Sequence, residues 1–168
     1  GIITVNEFPG WEQVLVEDYF NNIFHIPVFL EHDAKAGVMA CWYMNKYNNV
    51  NKTLAYVIAG HGIGVGVIVD GKLLRGSTGT FGEIGHTSID FNGPLCACGS
   101  RGCLENYCST IALSRRIKNA LELGVKSSLS IDFTFSDIVE AYKNKDDLTV
   151  KEVNKNIEYL SVGIVNLV

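Results

Sequence analysis

The sequence predicts a mixed α/β layered domain in which strands, one hairpin among them, are followed by helices. Two apolar runs, LAYVIAG (54–60) and VGVIVDGKLLRG (65–76), have strand character. Asp70-Gly71 inside the second is a strong hairpin signal, because a two-residue hairpin turn favours Asp-Gly. From residue 104 onward apolar residues recur at helical spacing. Sheet and helices each carry an apolar side, and burying those sides against one another gives a layered domain.

Trp11, Val14, Leu15, Tyr19 and Ile23 share one face of a helix predicted over 11–24. Residues 26–30, with Pro27 near the start, read as a short buried strand. EHDAKAGVMACWYMNKY (31–47) then turns helical, so Glu31, His32 and Asp33 fall at a strand-to-helix turn. The glycine-rich bend AGHGIGVG joins the two strands. A helix over 104–123 turns Leu113, Ile117, Ala120 and Leu121 inward and Arg115, Arg116 and Lys118 outward, and Gly124 ends it. A polar stretch, 126–136, leads to FSDIVEAYKNKD, where Ser136 is placed to cap a helix starting at Asp137. Thr149 is placed to cap the last helix.

At 168 residues the chain is one medium domain or part of a larger one. It opens on GIITVNEFPGW, the end of a strand running into a loop, and closes on an amphipathic helix without a C-cap signal, so a piece of a longer protein is expected. With 47% hydrophobic residues, a net charge of -4 and no Lys/Arg-rich run, this segment by itself is not expected to bind nucleic acid. A basic segment elsewhere in the protein would be needed for that. No signal peptide and no apolar run of about 18 residues is present, so no membrane association is expected.

The chemistry concentrates in GEIGHTSIDFNGPLCACGSRGCLE (82–105). His86, Cys96, Cys98 and Cys103 form a Cys3His set, a closed tetrahedral donor shell suited to a structural zinc with no open position. Three free thiols together in one loop would be reactive without a metal. Glu83 and Glu105 are carboxylates in the same run that the metal does not need, which points to a small polar ligand. Five cysteines, three of them in a metal-type cluster, fit a reducing, cytoplasmic setting better than a disulfide framework. Cys41 and Cys108 read as buried small side chains, with Cys108 an alternative metal ligand.

Asp33, at the end of a strand and the start of a helix, sits where α/β folds place ligand-binding groups. It suits a general base toward a substrate hydroxyl, or simply a helix cap. Gly60, Gly62 and Gly64 offer backbone N–H groups to a phosphate, but no Walker lysine is present and a strand rather than a helix follows. His61 within the bend reads first as a packed or solvent-facing histidine.

Taken together these residues resemble the ROK family (repressors, open reading frames and sugar kinases), over nearly the whole chain and most specifically at 82–105. The resemblance implies an α/β ribonuclease H-like lobe of the actin/hexokinase type with a zinc-bound loop. It makes His86, Cys96, Cys98 and Cys103 the zinc ligands. His32, Asp33, Glu83, His86 and Glu105 become sugar contacts in one cleft, with Asp33 the base of the kinases. Two departures bear on activity: the kinases usually read E-N-D where this chain has Glu31-His32-Asp33, and G-T-G-I-G-G-G where it has GHGIGVG (60–66). In the second, histidine replaces the phosphate-holding hydroxyl and Val65 crowds a position that needs close backbone approach. Both departures resemble the repressor branch.

The expected function is therefore a sugar-responsive transcriptional regulator. A sugar or sugar phosphate would shift an open–closed equilibrium in a homodimer. DNA would be bound by an N-terminal domain that, with the N-terminal lobe and the C-terminal end of the fold, is expected outside residues 1–168. The alternative is a sugar kinase using ATP and magnesium, with Asp33 as general base. This chain contains neither the D-x-G-x-T phosphate motif nor a helix-turn-helix.

Overall fold

The computed structural model describes residues 2–3, 10–11, 13–44 and 52–167. They form two compact units, Gly1–Tyr56 with Gly66–Leu74, and Val57–Val65 with Arg75–Val168.

In the first unit β1 (Ile2–Ile3) pairs antiparallel with β2 (Val14–Leu15), and α1 (Val16–Phe24) follows at once. The helix expected from residue 11 thus starts at 16, because the ladder Ile2↔Leu15 and Ile3↔Val14 claims its first turn. His25 closes α1 in the left-handed region (φ 54), its N–H returning to Asn21 O at 2.9 Å. The strand expected over 26–30 does not form. Val28 N–H donates to Asn21 Oδ1 (3.0 Å) and Leu30 N–H to Glu17 Oε1 (2.6 Å), so side chains of α1 take the donors a neighbouring strand would have used. Pro27 has no donor to offer, and Phe29 is exposed.

Next comes α2 (Asp33–Met44), opening at Asp33 as expected, with Ala34, Lys35 and Val38 buried. Residues 45–47 of the predicted helix lie outside the described residues. Gly66 sits against α2 so closely that a Cβ would collide with Ala34 O.

The main sheet has the order β3 (Thr53–Ala59), β4 (Ile63–Val69), β5 (Lys72–Leu73). The central strand is buried from Ile63 to Ile68, as a middle strand covered on both faces must be. β4 and β5 pair antiparallel through Ile68↔Leu73 and Val69↔Lys72. Asp70 (φ 49) and Gly71 (φ 76) make the expected hairpin turn with both positions left-handed.

In the second unit the helix expected over 104–123 is two helices, α3 (Glu105–Cys108) and α4 (Thr110–Glu122). Ser109 breaks the run (ψ 162) and its hydroxyl oxygen caps α4 by accepting from Ala112 N at 3.1 Å. A capping serine inside an amphipathic stretch outweighed the periodicity. The cap of α5 (Phe135–Lys143) is Thr134, not Ser136, because Thr134 and Asp137 complete a reciprocal capping box. Likewise Asp146, not Thr149, caps α6 (Asp147–Val165). Thr149 instead donates its N–H and hydroxyl to Asp146 Oδ1, each at 2.9 Å.

Two apolar clusters hold these helices. Leu113, Ile117, Ile138 and Leu148 join α4, α5 and α6. Ile63, Leu104 and Cys108, with Ile84, Ile89, Tyr159 and Leu160, join β4, the loop after Gly82, α3 and α6. Leu104 is fully buried, and Gly163 of α6 lies so near that a Cβ there would strike Leu104 Cδ2. The loop that carries the cysteines therefore rests on the second cluster. No helix among the described residues is long and apolar enough to cross a membrane.

Candidate metal centre and ligand site

The loop 82–104 is folded by backbone pairing at both ends. Val65 N–H donates to Gly82 O at 2.8 Å, and a Cβ on Gly82 (φ 104) would run into Val65 O. A short 3₁₀ turn, Ile84–His86, follows, with His86 N–H donating to Glu83 O at 3.1 Å. The chain then folds back on itself: Ser88 pairs with Cys103 and Leu95 with Arg101. Ile89 N–H donates to Gly102 O (2.9 Å), Gly102 N–H to Pro94 O (2.8 Å) and Cys96 N–H to Ser100 O (2.7 Å). Gly99 (φ 91) and Gly102 (φ 65) are left-handed, and at Gly102 a Cβ would also strike Asp90 O.

This folding brings His86, Cys96, Cys98 and Cys103 together, with their four donor atoms all within 4.8 Å of one another. His86 Nδ1 lies 3.6 Å from Cys96 Sγ, and Cys98 Sγ lies 3.6 Å from Cys103 Sγ. Zinc–sulfur and zinc–nitrogen bonds of about 2.3 and 2.0 Å at tetrahedral angles need edges of roughly 3.8 and 3.5 Å. The donor set fits a tetrahedral ion. The electrostatics agree. Burial pushes the Cys96 thiol up and the Cys103 thiol to about 12, whereas Ser100 N–H holds exposed Cys98 near 7. A cation among them would favour the ionised form of all three. Cys108 stands apart, buried, with its Sγ donating to Leu104 O at 3.4 Å. Cys41 is half-buried.

Glu105 opens α3 two residues after Cys103 and touches two features at once. Its Oε1 lies 3.4 Å from His86 Nδ1 and 3.5 Å from Cys96 Sγ. On the other side, a Cβ on Gly62 would meet Oε2 at 3.4 Å. One carboxylate therefore spans from the donor cluster to the glycine bend, with its side chain only 20% exposed. Glu83 is one 3₁₀ turn before His86 and half-buried. The bend itself closes through Gly60 N–H to Gly62 O (3.0 Å), and Thr110 N–H at the start of α4 donates to Gly60 O (2.9 Å). Gly64 lies inside buried β4, so of the three glycines only Gly60 and Gly62 belong to the bend. Val65 is buried in the same strand, and His61 is exposed on the bend. A cavity of about 430 Å³ opens beside it, lined by Gly60, His61, Thr110, Ile111, Ser114 and Phe135.

In the first unit His32 and Asp33 open α2. His32 O accepts the first helical bond, from Ala36 N at 2.9 Å, which makes His32 and not Asp33 the cap position. Asp33 is the first helical residue, largely exposed, with Oδ1 accepting from Ala34 N at 2.7 Å and 3.3 Å from His32 Nδ1.

Sequence reasoning missed Arg116. Expected outward on a helix face, it has a side chain only 18% exposed and pairs with Glu152 at 2.8 Å. The pairing joins residues 36 apart on two helices, and no local pattern announces it.

The strands, the hairpin and the helices make an α/β domain, and its solved neighbours are ROK proteins with the actin/hexokinase-like fold. The chain belongs to the ROK family, whose model matches residues 1–168. It is 34% identical over 163 residues to the xylose repressor of Caldicellulosiruptor bescii, covering 94% of this chain and 41% of that protein. Among solved structures, a ROK family transcriptional regulator homologous to the E. coli MLC protein superposes with a TM-score of 0.79 at 28% identity, covering 97% of this chain and 42% of that one. A ROK family glucokinase from Streptomyces griseus, in complex with glucose and AMPPNP, gives 0.78 at 30% identity, covering 94% and 53%. The chain spans about two fifths of the length of the curated relatives it matches first.

Proposed function

We propose that the protein is a sugar-responsive transcriptional regulator and that residues 57–65 and 75–168 carry its sugar contacts and a structural zinc. The observation that carries this reading is the position of Glu105, a half-buried carboxylate held between the metal donors and the glycine bend. A carboxylate so placed accepts hydrogen bonds from sugar hydroxyls, and an analogue lacking one would leave it unpaired at a cost of about 1–3 kcal/mol. Glu83 and the second ring nitrogen of His86 add further polar contacts. In the first unit, His32 and Asp33 match the family's sugar-contact motif by sequence. Zinc, held by His86 Nδ1 and the three thiolates, would supply a fixed frame and no reactive water, since four protein ligands close its shell. His61 in place of a hydroxyl at the bend favours a sensor over a phosphoryl-transfer enzyme. The 33–34% identity to xylose repressors supports the same side. DNA binding, dimerisation and a cytoplasmic location belong to the whole protein and are part of this proposal.

A kinase reading is favoured by one feature, Asp33 at the opening of α2, with the glucokinase neighbour beside it. It would use ATP and magnesium, with phosphates at Gly60 and Gly62 and Asp33 as base. The full-length protein separates the two. Release of operator DNA by D-xylose or D-glucose, without turnover of ATP, is the expected result. Phosphorylation of either sugar at about 1 s⁻¹ or faster would overturn the regulator as sole function.

A further inference from the structure

We propose that Arg116 and Asn156 are positioning residues that aim Glu105. The inference rests on the reading of Glu105 as a sugar contact. α3 has only four residues, and Ser109 turns the chain away immediately after it, so its last carbonyls lack helical partners. Side chains from two other helices take them instead. Arg115 Nη2 donates to Asn106 O (2.8 Å), Arg116 Nη1 to Tyr107 O (2.5 Å) and Asn156 Nδ2 to Cys108 O (2.7 Å).

Arg116 and Asn156 are themselves fixed. Arg116 Nε donates to Glu152 Oε2 at 2.8 Å, and its Nη2 to Asn156 Oδ1 at 2.9 Å and Glu152 O at 3.2 Å. Glu152 is only 11% exposed, so this charge pair is screened far less than a surface one. Helix α3 is thus held at both ends: at its start by Cys103 in the donor cluster, at its end by Arg116 and Asn156. Glu105 is the residue between. A guanidinium reaches the Tyr107 carbonyl, Glu152 and Asn156 together, which a lysine ammonium on the same stem cannot. Loosening the far anchor lets α3 rotate and carries the Glu105 carboxylate off its line, without touching a metal donor.

The test is a double-mutant cycle in the full-length protein, titrated calorimetrically with D-xylose and with D-glucose, at matched zinc content. Arg116→Lys is expected to weaken binding of the sugar that wild type takes by roughly tenfold, as for other groups that orient a ligand-binding residue. Combined with Glu105→Gln it should add nothing to the loss from Glu105→Gln alone, because both act through the same carboxylate. Wild-type affinity in Arg116→Lys, or losses that multiply in the double variant, would overturn the positioning role while leaving Glu105 as a contact. Wild-type affinity in Glu105→Gln would overturn the contact and the positioning role together. If Arg116→Lys loses zinc or its cooperative melt, Asn156→Ala takes its place in the cycle, since it leaves the Arg116–Glu152 pair intact.

Discussion

Removing the metal should loosen the loop 86–103 in a way that can be sized from the chain. An ion held by these four donors would tie His86 to Cys103, closing 18 residues, with Cys96 and Cys98 inside the loop. A cross-link over that span removes about 3 kcal/mol of denatured-chain entropy, before any bond energy is counted. For a domain of this size that corresponds to about 6–12 °C in melting temperature. The assay is thermal melting of the full-length protein as purified and after EDTA dialysis, with zinc measured by atomic absorption. Cys103→Ser should reproduce the chelated melting temperature and respond no further to EDTA. Substitution alone is ambiguous, because Cys103 is fully buried and a serine hydroxyl there is costly; the chelator arm resolves that. A protein purified in zinc that contains less than one equivalent, and melts identically with and without EDTA, would refute the closed-site reasoning.

Leu104→Ala should destabilise by about 3 kcal/mol in urea unfolding, since Leu104 is fully buried between the metal loop and α6. Asp146→Ala should cost about 1–2 kcal/mol by removing the cap of α6. Burial pushes the Asp146 carboxyl up, but bonds from Ser128, Thr149 and Ser127 outweigh it and hold it at about 2. Its folded value lies below its unfolded one, so its contribution is present above about pH 4 and lost as pH falls toward 2. Acid titration of stability in wild type and Asp146→Ala should therefore converge over that window; parallel curves would show that the carboxylate does not carry the cap.

Much of the site was legible because its spacing is local. C-x-C-x4-C with an upstream histidine specifies four donors, and Gly99 and Gly102 mark where backbone must turn left-handed. The Asp70-Gly71 turn was equally readable, since its chemistry depends on two residues alone. Errors fell where two local signals competed. Ser109 looked like an ordinary position in an amphipathic helix, yet its hydroxyl starts a new one. Thr134 and Asp146 took caps that Ser136 and Thr149 also fitted, because Asp137 completes a reciprocal box with Thr134 and the N–H and hydroxyl of Thr149 both donate to Asp146. Residues 26–30 had strand composition, but the N–H groups of Val28 and Leu30 found acceptors on α1 in place of a neighbouring strand.

By itself the sequence determined the family, the donor set and the carboxylates beside it, because each is a matter of residue type at short separation. Tertiary structure alone decided what holds those carboxylates. Glu105 gains its place from Gly62 and His86, far apart in the chain, and from Arg116, Glu152 and Asn156 on two later helices. Such bonds depend on which helix faces pack together, and that is fixed only when the apolar clusters around Leu104 and Ile117 close.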